Sequence, residues 1–190
     1  MPRARAHVFI ATSVDGFIAR DDGGIDWLLR LHARVPEGED CGYAAFIAGV
    51  QAIVMGRRSF EQALAFDPWP YALPVVVMAR RGVAVPDALQ GRVSVSADAP
   101  QGLLERLGAE GVARVYLDGG QLVQAFLREG LVDELTVTTV PVLLGRGRSL
   151  FGELPADVDL ELLDSRAWPF GFVQNRWRVT GPSGESGASR

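Results

Sequence analysis

Two segments carry residues whose types and spacing suit phosphate chemistry: AIVMGRRSFE at 52–61 and RVYLDGGQLVQAFL at 114–127. Each reads as a strand, then glycine, then a helix. Glycine lets the backbone come close to a ligand. The helix start that follows offers free N–H groups and partial positive charge, which suit a pyrophosphate. Arg57 and Arg58 stand in the first segment, and Arg80 and Arg81 follow the next apolar run in the same way. Guanidinium forks bind phosphate well. Asp118 beside Gly119 conflicts with a neighbouring phosphate unless its side chain turns away. A glycine turn and a solvated arginine pair are the plainer alternatives, and no GxGxxG fingerprint is present.

Other chemistries are narrowed by counting. All 19 basic residues are arginine, so neither a Schiff-base lysine nor a lysine-bearing P-loop is available. Cys41 is the single cysteine, and His7 and His32 are the only histidines. That excludes an intramolecular disulfide and thiolate-rich metal sites, and there is no HExxH. No metal site is therefore expected. A net charge of −4 gives no sign of a nucleic-acid partner. No apolar run reaches the length of a membrane span, and the N-terminal residues do not read as a signal peptide, so the expected compartment is the cytoplasm.

The elements that must position these residues follow from periodicity. Strands are expected at His7–Thr12, Gln51–Met55, Leu73–Ala79, Arg92–Ser96, Arg114–Leu117, Glu134–Val140, Leu160–Trp168 and Gly171–Val179. A short helical turn is expected around IDWLLRL. Further helices are expected from Asp40, as cap, to about Gly49, from Arg57 to about Phe66, over Pro100–Gly111, and from Gly119 to Glu129. Phe170-Gly171 suits a hairpin, and GPSGESGASR (181–190) reads as a disordered tail. Strands alternate with helices and then run together. That predicts an α/β fold with a mainly parallel central sheet and antiparallel C-terminal strands, in one domain over 1–180. Val140, Val142, Leu143 and Leu144 are apolar residues in need of cover, and a homodimer is one way to provide it.

In this order the motifs resemble the dihydrofolate reductase superfamily, closest to the branch holding the riboflavin-biosynthesis reductase domain. The matching pieces are IATSVDGFIA (10–19), IDWL (25–28), AIVMGRRSFE (52–61), VVVMARR (75–81), VYLDGGQLVQAFL (115–127) and LVDELTVTTVPVLLGRGRSLF (131–151). The resemblance implies a three-layer dihydrofolate-reductase-like fold and NADPH as cofactor. It places the cofactor phosphates on Gly56, Arg57, Arg58 and Ser59, and the 2′-phosphate near Ala79 and Arg80. The pyrophosphate falls at Gly119, Gly120, Gln121 and Leu122, and the nicotinamide at Ala11, Asp15, Gly16 and Ile18. Asp15 has a simpler reading as a turn residue with Gly16.

On the substrate side the resemblance points to Asp40 as acid, with Tyr43 a second proton source. Asp40 reads more simply as a helix N-cap, and Tyr43 reads equally as a core or rim tyrosine. Trp27 and Phe46 are expected to wall the pocket, or to pack in the core. The implied activity is hydride transfer to a small flat heterocycle, pyrimidine- or pterin-like. The riboflavin-pathway uracil reductase and dihydrofolate reduction are named alternatives. The zinc-deaminase signature often fused to the riboflavin enzyme is absent. A non-catalytic nucleotide-binding module is the alternative from another class.

Overall fold

The structure, a computed structural model, describes residues 2–182. The chain runs β1 (Arg5–Ser13), β2 (Phe17–Ala19), α1 (Asp26–His32), α2 (Tyr43–Ile47), β3 (Ala52–Gly56), α3 (Arg57–Ala63), β4 (Val75–Met78), β5 (Val93–Ser96) and α4 (Pro100–Ala109). It continues with β6 (Arg114–Asp118), α5 (Gly120–Arg128), β7 (Val132–Val140), β8 (Arg148–Ser149), β9 (Val158–Ala167) and β10 (Val173–Pro182). Eight strands form one sheet in the order β5-β4-β3-β6-β1-β7-β10-β9. Every pairing from β5 to β7 is parallel, and β10 pairs antiparallel with both β7 and β9.

Apolar side chains leave both faces of the inner strands, so both faces are covered. On one face Val8, Val54, Val115 and Leu117 meet Leu103, Leu104 and Leu107 of α4 and Val123, Phe126 and Leu127 of α5. On the other face Ile53, Met55, Val75 and Val77 meet Phe60 of α3, and Phe46 and Ile47 of α2 pack at the edge of that cluster. Trp27 and Leu31 of α1 pack with Val140, Trp168 and Phe172. The layers are therefore helices, sheet, helices. This is the expected α/β architecture, a mainly parallel central sheet with antiparallel C-terminal strands.

The strand order places the site. β3, β4 and β5 step outward from a gap beside β1, and β6 returns to fill that gap. Ligands in open parallel sheets bind at the carboxyl ends of strands where the order reverses. The ends that meet there are Ile10 and Ala11 of β1, Gly56 of β3 and Asp118 of β6. A two-stranded flap, β2 with β8, stands beside them and is tied on by Leu150 N–H donating to the Gly16 carbonyl at 3.0 Å.

Two expectations are corrected. β10 extends through Gly181 and Pro182, because these residues still pair with Asp159 and Val158. The rest of the expected disordered tail, 183–190, lies outside the described residues. Val140 needs no second chain for cover: it is fully buried, with Val142 and Leu144 packed against the same cluster. Of the four residues named, Leu143 alone is strongly exposed, at 71 %.

Candidate active site

A cleft of about 1060 Å³ opens at those strand ends. Its backbone rim is made by glycine. Gly119 sits at φ +103°, where L side chains are strained, and a Cβ there would run into Ser59 Oγ. A Cβ at Gly120 would meet Ile18 Cδ1 of the flap and, at 3.3 Å, the Ser149 carbonyl oxygen. Arg57, Arg58 and Ser59 line the cleft from α3, and Gln121 and Leu122 from α5. Glycine thus lets the start of α5 pack directly against Ser59 and the flap.

The structure brings most of the expected cofactor residues to this one place. Ala11, Ile18, Gly56, Arg57, Arg58, Ser59, Gly119, Gly120, Gln121 and Leu122 all line the cleft. Ala79 and Arg80 line a second hollow of about 430 Å³. The two hollows share Met78, Leu122 and Ala125, so they adjoin. The second one also presents Ser96, Asp98 and Glu129. Asp98 is held by Arg106 at 3.0 Å and by the Ser96 hydroxyl at 2.8 Å, and both hold its carboxyl below the ordinary value.

Asp15 and Gly16 are placed differently. The Asp15 carboxylate accepts from Ser13 Oγ at 2.5 Å and from the Leu144 and Gly145 amides at 3.1 and 2.7 Å. Those donors, Ser13 first, keep it ionised. Gly16, at φ +82°, makes the turn, its amide donating to the Ser13 carbonyl at 3.0 Å. Neither lines the cleft. They fix the flap and the loop that leads into β8.

The substrate-side expectations require correction. Asp40 lies outside the cleft lining, and its carboxylate accepts from the Gly42 and Ala44 amides at 2.8 and 2.7 Å. Amide donors stabilise the charged form, so Asp40 is held below the usual carboxylate range and is a poor proton source. Tyr43 packs edge-on to Phe9, with ring centroids 5.6 Å apart. Trp27 is fully buried in the core, and Phe46 is wedged between Phe9 and Tyr116. None of the three lines the cleft: Trp27 packs with Leu31, Val140, Trp168 and Phe172, and Tyr43 and Phe46 pack on Phe9.

Asp118 occupies the position those residues were expected to fill. It is the last residue of β6 and lines the cleft. Tyr71 reaches it from the 64–74 loop, its hydroxyl donating to Oδ2 at 3.2 Å. Burial raises the Asp118 pKa, while the Tyr71 hydroxyl and the Gly119 amide oppose the rise. Burial, with the Asp118 charge, also raises Tyr71. Apolar residues line the same cleft: Ile25 and Leu28 at the start of α1, Ala63 at the end of α3 and Phe66 beyond it. Arg148 is the third cleft arginine, and its guanidinium donates to the Asp21 carbonyl at 3.1 Å. Tyr71, Phe66 and Arg148 carry no local sequence signal. Asp118 did, as the acid between a buried strand and the Gly119-Gly120 turn.

The sequence profile of the RibD C-terminal domain matches residues 6–173. The chain belongs to that family. A Bacillus subtilis relative, YwjB, is 34 % identical over 159 residues, covering 82 % of this chain and 87 % of its own. A second, YyaP from the same organism, is 25 % identical over 181 residues, covering 87 % and 89 %. Both are described as uncharacterized proteins. A crystal structure from Shewanella sp. PV-4, provisionally described as a riboflavin biosynthesis protein, superposes with a TM-score of 0.87 at 35 % identity, covering 93 % of this chain and 99 % of that one. Acinetobacter baumannii RibD shares the fold, with a TM-score of 0.70 at 21 % identity, over 94 % of this chain and 58 % of its own. The fold is thus the dihydrofolate-reductase-like fold of the RibD reductase domain.

Proposed function

We propose that this protein is a reductase that binds NADPH in the cleft and passes a hydride to a small flat heterocycle, pyrimidine- or pterin-like. The observation that carries the reading is the convergence at one set of strand ends. A glycine pair without room for side chains, three arginines and one desolvated carboxyl all face the same cleft. Membership of the RibD C-terminal domain family supports the reaction class.

The residues present suit a dinucleotide. The start of α5 at Gly119–Gly120 would offer backbone N–H groups to a pyrophosphate, with Arg58 and Ser59 lining the same cleft. Arg57 is engaged by Glu61 at 2.6 Å, so Arg58 is the freer guanidinium at this end. Arg80 is the one cationic residue among the described residues lining the adjoining hollow, where it would meet a 2′-phosphate. The bound cofactor supplies the hydride.

The chain's own contribution is to position and protonate. Ile25, Leu28 and Phe66 present an apolar wall suited to a flat ring. Asp118 holds a proton to higher pH than an ordinary carboxyl and can give it to a ring nitrogen or carbonyl oxygen as the hydride arrives. Tyr71 fixes the carboxyl's orientation through Oδ2. The ring and the apolar wall together keep water from the acid.

The test is to mix the purified protein and its Asp118→Asn variant with NADPH and a panel of pyrimidines and pterins, following loss of reduced-nicotinamide absorbance. Wild-type turnover is expected with at least one ring class. The variant is expected to lose about 100-fold or more while still binding cofactor. Cofactor oxidation by no ring, or full activity in the variant, would overturn the reading.

A further inference from the structure

We propose that Arg148, on the flap, is a binding residue for the dinucleotide, its guanidinium taking the pyrophosphate from the flap side of the cleft. The inference rests on the reductase reading above and extends it to a residue which that reading leaves without a role. Arg148 pairs with Ala19 across the flap and lines the cleft together with Gly23 and Gln62. Its Nε and Nη2 both donate to the Asp21 carbonyl, at 3.2 and 3.1 Å. Gly23, at φ +95°, lets the guanidinium lie against the loop, since a Cβ there would stand 2.9 Å from Nη1. Gln62 of α3 holds the same loop, its Nε2 donating to the Gly23 carbonyl at 2.8 Å. The head group is thus fixed through two of its three nitrogens. Nη1 has no acceptor among the described residues.

Charge decides what that nitrogen is for. Other arginines here are paired with acids: Arg20 with Asp26 at 2.6 Å, Arg57 with Glu61 at 2.6 Å, and Arg146 of the flap loop with Asp21 at 3.6 Å. Arg148 has no carboxylate in ion-pair reach among the described residues; its acceptor at Asp21 is the neutral carbonyl, while Arg146 takes the carboxylate. Asp118 is the one acid among the described residues lining the cleft, and burial disfavours its charge. Arg148 is half-buried. Taking a guanidinium partly out of water with no anion beside it costs free energy, and an anionic ligand offsets that cost.

Position decides which anion. Ser59 of α3 lies against Gly119, and Ser149 of β8 lies against Gly120. The residues that precede these two contacts are Arg58 and Arg148, and both line the cleft. Two guanidiniums therefore flank the start of α5, one from α3 and one from the flap. A pyrophosphate carries a charge for each of them, and each fork matches phosphate oxygens. A single carboxylate or phosphate on the ring substrate would use only one. Because Arg148 also holds the Asp21 carbonyl, one side chain touches both the ligand and the 20–24 loop. Ligand binding then steadies that loop.

The test measures NADPH and NADH affinity by tryptophan fluorescence for wild type, Arg148→Met, Arg148→Lys and Arg146→Met. Arg148→Met is expected to bind both dinucleotides about tenfold more weakly, since both carry the pyrophosphate. Arg148→Lys, which keeps the charge, is expected to recover part of the loss. Arg146→Met removes the same charge from the same flap, outside the cleft lining, and is expected to bind as wild type does. Added salt is expected to weaken binding less steeply in Arg148→Met than in wild type, because one charge contact is gone. A merely structural role would leave that salt dependence unmoved. NADPH is also expected to slow hydrogen exchange over 20–24 more in wild type than in Arg148→Met. Undiminished affinity in Arg148→Met overturns the proposal. So does a loss confined to NADPH, an equal loss in Arg146→Met, an unmoved salt dependence, or equal slowing of exchange in both proteins. Wild type that binds neither dinucleotide overturns the reductase reading as well, so the wild-type titration tells the two failures apart.

Discussion

Two ionisable residues are moved in opposite senses by the same cause, burial. In Asp118 loss of water disfavours the carboxylate, so the proton is retained to higher pH. Activity that needs this proton falls as pH rises through the elevated pKa. A basic limb in kcat/KM that disappears in Asp118→Asn is the expected signature, and an unchanged limb would assign the proton elsewhere. In His7 the disfavoured form is the imidazolium. Burial lowers its pKa from 6.5 to about 4, helped by Arg114 and Arg5 and opposed by Glu134, whose Oε2 lies 3.5 Å from Nδ1. His7 Nε2 has no hydrogen-bond partner. The unfolded chain therefore takes up this proton first. Stability is complete above pH 6.5 and is lost as pH falls from there toward 4, by on the order of 3 kcal/mol. Urea unfolding of wild type and His7→Phe at neutral pH and at pH 5 checks this. The variant is expected to have the shallower dependence, and equal slopes would contradict it.

At the scale of elements, the strands and helices that build the cleft were legible because their signals are local. VVVM has no polar residue and is buried on both faces; QLVQAFLR has an apolar stripe and lies on the sheet as α5. The cofactor half of the site inherits that clarity, since its residues sit where one element ends and the next begins. The substrate half does not. The resemblance points to Asp40, but a carboxylate two residues from one free amide and four from another satisfies those amides first. Tyr71 reaches Asp118 across 47 positions, a contact no window of sequence contains. The flap was missed for a related reason: β2 and β8 are three and two residues long, and only their pairing makes them strands. Its anchor is Asp15. Asp15→Ala removes the acceptor for Leu144 and Gly145, so hydrogen exchange over 141–149 is expected to quicken and cofactor affinity to fall severalfold. Unchanged exchange would remove the anchoring role.

At the scale of the whole molecule, the two halves of the sheet differ in their relation to the cleft. Its parallel half carries the cleft at the strand ends, where the return of β6 beside β1 leaves the space. Its antiparallel strands β9 and β10 contribute no lining residue to that cleft. The family profile covers residues 6–173, and the cleft residues Phe66 and Tyr71 stand in the loop between α3 and β4. The hollow beside the cleft sets the cofactor question apart from the substrate question. Arg80 is the one cationic residue among the described residues lining it, so Arg80→Ala is expected to weaken NADPH about tenfold or more and leave NADH unaffected. Equal losses for both would place the 2′-phosphate elsewhere.

The most direct measurement is a titration of the wild-type protein with NADPH and with NADH, followed by the fluorescence of its four tryptophans. Trp69 packs on Tyr71, with ring centroids 5.3 Å apart, and reports on the cleft wall. Saturable quenching by NADPH, with NADH at least tenfold weaker, is the result the account predicts. No saturable response to either dinucleotide would contradict its central claim, that this cleft is a cofactor site.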